Sequence, residues 1–132
     1  MSKLVDICDY TENSYRPVVD YGAWRVAYLN NTTDDVSAVE FLERHTASAE
    51  VFVLVQGACK LLVSPTGNAA YEVYEMEPLK LYNVLPTTFH QVAMQPGCRL
   101  LIVENRDTGA DNSLYCRLTA EQKEQVRTLL QI

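Results

Sequence analysis

Apolar and polar residues alternate along most of the chain in short runs separated by turn residues. Side chains two apart on an extended strand point the same way, so such alternation marks strands with one buried face. The pattern predicts strands over residues 15–21, 24–30, 36–45, 50–56, 59–63, 71–76, 80–84, 89–94 and 99–104. Between them stand residues that favour chain reversal: Asn30 and Asn31, the run Ser64 to Asn68, Pro86, and Gln95, Pro96 and Gly97. Many short strands at this spacing predict an all-β sandwich or barrel. One segment departs from the period. Thr119 and Gln122 have the spacing of a capping box, in which a threonine oxygen and a glutamine side chain satisfy free N–H groups at a helix start. Val126, Leu129 and Leu130 then fall on one face, which predicts a C-terminal helix over 120–131 closing a barrel end.

Alternation also assigns faces. Val39 and Phe41 share a side with Glu43 and His45, while Glu50 shares one with Phe52 and Leu54. His90 lies on the side of Val92 and Met94. Arg44 falls on the opposite side of its strand and is expected to point outward. The chain has two histidines, both on faces otherwise marked apolar. Polar groups facing a core need partners, so Glu43, His45, Glu50 and His90 form one candidate cluster. Two imidazoles and one or two carboxylates suit a divalent transition metal with open positions, whether zinc, iron, manganese or nickel. The same groups without metal can serve as acid and base toward a bound molecule. A plainer reading stands beside each histidine. His45 borders a turn and can sit exposed, and His90 can be a core histidine bonded to a backbone carbonyl.

Composition narrows the function classes. At 132 residues the chain suits one domain spanning 1–132, and 48% hydrophobic content suits a packed core. No apolar run reaches the ~18–20 residues of a membrane span. The acidic first residues do not read as a signal peptide, so the expected location is the cytoplasm. Seventeen acidic and eleven basic residues give a net charge of −6, which repels phosphate backbones and argues against nucleic acid as a partner. Lys60, Lys80, Arg99 and Arg106 are scattered and are expected to be solvated. Cys8, Cys59, Cys98 and Cys116 have no CxxC spacing and are expected to be free thiols.

The same residues carry a resemblance. The stretch from His45 to Gly57, with Glu50 inside it, resembles the latter part of the first cupin motif. Pro86 to His90 resembles the core of the second, and the resemblance covers about residues 36–105. It implies a small cupin-type jelly-roll barrel, usually a homodimer, with a small-molecule pocket inside one end. By position it makes His45, Glu50 and His90 metal ligands, while Glu43 stands where the first histidine would be. Thr87 replaces the glycine that follows the proline. Residues 41–45 and 81–84 are similar to small cupins related to ureidoglycolate lyase, which cleaves ureidoglycolate to glyoxylate and urea. The implied enzyme is a lyase or isomerase acting on a small polar, carboxylated or sugar-like metabolite. In it Glu50 and His90 hold metal or shuttle protons, His45 is the second imidazole, and Glu43 is a ligand or base. The alternative is a non-catalytic ligand-binding or structural cupin, which the Glu43 exchange favours. Uncovered sheet edges, together with Val18, Val19 and Trp24, predict a homodimer formed by edge pairing.

Overall fold

A computed structural model describes residues 4–132. Among them, strands β1 (Ser14–Tyr21), β2 (Trp24–Asn30), β3 (Phe41–His45), β4 (Glu50–Gln56) and β5 (Cys59–Ser64) come first. They are followed by β6 (Glu72–Glu75), β7 (Leu81–Val84), β8 (Phe89–Met94), β9 (Arg99–Asn105) and β10 (Ser113–Arg117), and then by helix α1 (Ala120–Leu130). Two antiparallel five-stranded sheets form a jelly-roll barrel, one ordered β1-β2-β9-β4-β7 and the other β10-β3-β8-β5-β6. No helix of the described residues is long and apolar enough to cross a membrane.

The barrel interior is graded along its strands. Glu50, Phe52 and Leu54 follow one another inward on β4, as do His90, Val92 and Met94 on β8 and Glu104, Ile102 and Leu100 on β9. One end is therefore a dry core completed by Ala27, Leu61, Met76 and Cys98. The other end collects the polar members of the same alternating series.

Four sequence expectations need correction. The strand expected over 36–45 begins only at Phe41. Before it, the Ser37 N–H donates to the Met94 carbonyl at 2.9 Å, and the Met94 N–H donates to the Ser37 hydroxyl at 2.8 Å. The alternation is therefore broken upstream of Phe41. Val39 does not share the face of Glu43 and His45 but packs with Leu42, Leu62, Phe89, Leu118, Val126 and Leu130. Second, α1 lies along the outer face of the β10-β3-β8-β5-β6 sheet and does not close a barrel end. Thr119 and Gln122 form the expected box, with bonds of 3.2 and 2.9 Å. The buried stripe is narrower than expected: Val126 and Leu130 are fully covered while Leu129 is 44% exposed. Third, β10 was not expected, because an edge strand with one buried residue in five carries little alternation. Fourth, two of the scattered cations are structural. Lys60 donates to the Leu130 carbonyl at 2.8 Å, binding the helix end. Arg99 bonds Asn30, Asp9 and the Tyr10 carbonyl, tying the N-terminal segment to the sheet.

Gly57 turns the chain from β4 to β5 at φ +83°, and a Cβ there would lie 2.8 Å from the Cys98 Cα. Both the backbone angle and the space demand glycine. Gly57→Ala should lower stability by more than about 1 kcal/mol. Urea unfolding checks this, and an unchanged midpoint would refute the packing described.

Candidate functional site

The polar end of the barrel opens into a cavity of about 420 Å³. Its floor holds Glu43, His45, Glu50, His90 and Glu104. Phe41, Phe52 and Tyr115 stand in its walls, and Thr108 and Gly109 of the β9–β10 loop line it as well. All four residues singled out from the sequence face this cavity. They come from three strands. Glu43 and His45 alternate on β3, Glu50 opens β4, and His90 on β8 lies directly across from Glu43. Arg44 points the other way, over the Phe89 ring at 4.9 Å.

Glu50 is the hub. Its Oε2 is 2.7 Å from His45 Nε2 and its Oε1 is 3.5 Å from His90 Nε2. The two imidazoles stand edge to face with centroids 5.2 Å apart. The outer nitrogens are held from behind. His90 Nδ1 donates to the Thr88 carbonyl at 3.0 Å, and His45 Nδ1 is 2.8 Å from the Ser113 hydroxyl. The Nε2 atoms of both rings are buried and have no aligned hydrogen-bond partner. Their approach to Glu50 is therefore one of charge and proximity.

Sequence reasoning missed a further set of groups on the far side of Glu50. Glu104 is buried, and its Oε1 accepts from the Tyr15 hydroxyl and from Arg25 Nε at 3.1 Å. Arg25 also pairs with Glu104 at 3.0 Å and donates to the carbonyls of Arg106 and Thr108. It thereby fixes the loop that leads to Ser113. Glu104 and Arg25 were accessible to the face argument, since Glu104 follows Leu100 and Ile102 and Arg25 precedes Ala27 at alternate positions. Ser113 carried no signal, because its strand was not expected.

These neighbours set the charges. Burial raises the Glu50 carboxyl, but contacts with His45, His90 and Glu104 outweigh it and hold Glu50 well below the usual carboxylate range. Contact with Glu50 raises the His45 imidazole despite its burial. Burial raises Glu43. Burial, reinforced by contact with Glu50, pushes Glu104 up to about 7. Glu50 and Glu104 thus behave as a pair in which one member ionises easily and the other keeps its proton.

Two sets of side chains bring three ligand atoms within 4.8 Å of one another: Glu43, His45 and His90, and His45, Glu50 and Glu104. The first fits a divalent cation. Holding Nδ1 from behind leaves each Nε2 available on the cavity side, as metal-bound histidines require, and Glu43 has no hydrogen-bond partner among the described residues. The second set is already engaged. Glu104 accepts from Tyr15 and Arg25, and the Arg25 charge opposes a cation beside it.

Comparison with known proteins places the fold. No family model matches the sequence, and no curated protein is significantly similar to it. Solved structures do match. A cupin-2 domain protein from Shewanella frigidimarina is 16% identical, with TM-score 0.54 over 74% of this chain and 85% of that one. The Streptomyces protein PAC13, solved with uridine, is 13% identical, with TM-score 0.59 over 86% and 87%. WlaRA from Campylobacter jejuni, a TDP-fucose-3,4-ketoisomerase, is 16% identical, with TM-score 0.58 over 68% and 65%. The chain has the fold of the cupin superfamily.

Glu104 yields a pH prediction for the metal-free protein. Its folded value of about 7 stands above its ordinary 4.5, so between these values the folded chain keeps a proton the unfolded chain has released. The stability it contributes is full below pH 4.5, falls as pH rises through 7, and is absent above. Glu104→Gln should flatten stability over that window, removing a slope on the order of 1 kcal/mol per pH unit. Urea midpoints at several pH values measure it, and an unchanged slope would refute the assignment.

Proposed function

We propose that this cupin acts on a small metabolite bearing hydroxyl or carbonyl groups, as an isomerase or lyase, at a divalent metal centre held by Glu43, His45 and His90 with Glu50 beside them. The observation that carries the reading is the pair of buried Nε2 atoms, without aligned partners, facing one carboxylate in an open cavity. A zinc, iron, manganese or nickel ion there supplies Lewis acidity toward a substrate oxygen.

The chain's own groups supply the proton chemistry. Glu50, ionised and in contact with both imidazoles, holds the two rings in place through its charge. Glu104, which lines the same cavity with its carboxyl raised to about 7, takes a proton from a bound substrate and returns it. His45 lies between Glu50 and Ser113, which together orient its ring. Phe41 and Tyr115, whose rings meet edge to face at 5.6 Å, offer apolar surface to the carbon skeleton and exclude water. The ketoisomerase and the uridine-bound protein among the structural neighbours support a sugar-like ligand. A ligand-binding cupin without turnover is favoured by one observation: both imidazoles already meet Glu50, so the site is electrostatically closed without metal.

Calorimetric titration of chelator-stripped protein with Zn²⁺ and Mn²⁺ separates these readings. One ion should bind per chain, and His90→Ala should weaken binding at least ~10-fold, the scale of losing a ligand or its support, with unchanged far-UV dichroism. Absence of binding by the wild-type chain, or equal binding by the variant, would overturn the metal reading.

A further inference from the structure

The two imidazoles are held differently, and the difference lies in what stands behind each ring. A ring nitrogen that carries a proton donates and a bare one accepts, so the neighbour decides which is which. The Thr88 carbonyl, 3.0 Å from His90 Nδ1, can only accept. It fixes the His90 proton on Nδ1 and leaves a lone pair on Nε2. Ser113 stands directly across from His45 in the pairing of β3 with β10, and its hydroxyl is 2.8 Å from His45 Nδ1. A hydroxyl both donates and accepts. His45 is therefore free to hold its proton on either nitrogen.

The distances to Glu50 tell the two rings apart. His90 Nε2 stands 3.5 Å from Oε1, while His45 Nε2 comes to 2.7 Å from Oε2. A ring lone pair and a carboxylate oxygen repel each other, whereas a proton on that nitrogen draws the oxygen in. The short contact thus places a proton on His45 Nε2, and the long one fits the lone pair of His90. The Nδ1 of a neutral His45 then accepts from the Ser113 hydroxyl. Ser113 is positioned by the backbone around it. The Thr46 N–H and hydroxyl both donate to the Asn112 carbonyl, at 2.9 and 3.1 Å, and Arg25 holds the Thr108 carbonyl at 2.8 Å. Ser113 is buried, and among the described residues its hydroxyl has His45 Nδ1 as its one partner. The oxygen stays in place while its proton can turn.

Resting on the metal reading above, we propose that Ser113 is a positioning residue that lets His45 exchange tautomers when a cation binds. Without a cation, His45 keeps its proton on Nε2 against Glu50, and Ser113 donates to Nδ1. With one, Nε2 gives up that proton, Nδ1 takes one up, and Ser113 turns to accept from it. The ring's own proton count is unchanged. His90 needs no such exchange, because the Thr88 carbonyl already holds it in the ligating form. His90 is the fixed ligand and His45 the exchangeable one.

Ring ¹⁵N spectra of the metal-free chain at about pH 9, above the ordinary imidazole range, should show His45 protonated on Nε2 and His90 on Nδ1. Addition of Zn²⁺ should leave His90 Nδ1 protonated and bring the His45 proton to Nδ1. Ser113→Ala deprives that N–H of its acceptor, so calorimetric Zn²⁺ affinity should fall about 10-fold, with far-UV dichroism unchanged. Ser113→Thr keeps the hydroxyl and should restore the affinity. A metal-free His45 protonated on Nδ1 would overturn the proposal and leave the metal reading standing. Undiminished affinity in Ser113→Ala, or an equal loss in Ser113→Thr, would overturn it as well. A wild-type chain that binds no Zn²⁺ would overturn the metal reading itself, and this proposal with it.

Discussion

A carboxylate at the bottom of an apolar barrel must be compensated where it lies, and Glu50, 5% exposed at the start of β4, is such a group. Most of the polar architecture follows from that demand. His45 and His90 meet its two oxygens from neighbouring strands. Glu104 comes within its reach on β9, where burial, reinforced by contact with Glu50, raises its carboxyl. Glu104 then needs partners of its own, and Tyr15 and Arg25 provide them. Arg25 in turn clamps the loop after β9, which delivers Ser113 to the back of His45. The network closes on itself, so changes at its rim should be felt at the imidazoles.

The same strands that build this network also build the barrel core, because the alternating series changes character along its length. On β4, β8 and β9 a polar residue begins at the cavity and apolar residues follow toward the closed end. A packed core thus supports the site from beneath and fixes the side-chain directions that bring the two Nε2 atoms together. The two sheets differ on their outer sides. One is roofed by α1, whose capping box and Lys60 contact hold it in place. The other carries Val19, Val26, Val51 and Val103 on its outer side, where Val19 and Val103 are exposed.

Much of this was readable before any coordinates, and the reasons are specific. Alternation marks β4, β5, β8 and β9 most plainly, because their alternate residues are buried, and it sets His45, Glu50 and His90 among apolar residues. It failed at Val39, where the chain crosses from one side of the sheet to the other, and at Ser113–Arg117, where an edge strand hides one residue in five. Glu104 and Arg25 were present in the pattern but stood beyond the motif-like stretches. Arg99 and Lys60 read as solvated because sequence shows a charge and not its distant acceptors, a carboxylate and several carbonyls.

The central claim is that two imidazoles offer their Nε2 atoms to one cation inside the barrel. With only two histidines in the chain, ¹⁵N-detected long-range correlation spectra resolve every ring nitrogen involved. Addition of one equivalent of Zn²⁺ should move both Nε2 resonances to the metal-bound range and leave His90 Nδ1 protonated on the Thr88 carbonyl. Nε2 resonances that stay in place, or a His90 that binds through Nδ1, would contradict the account.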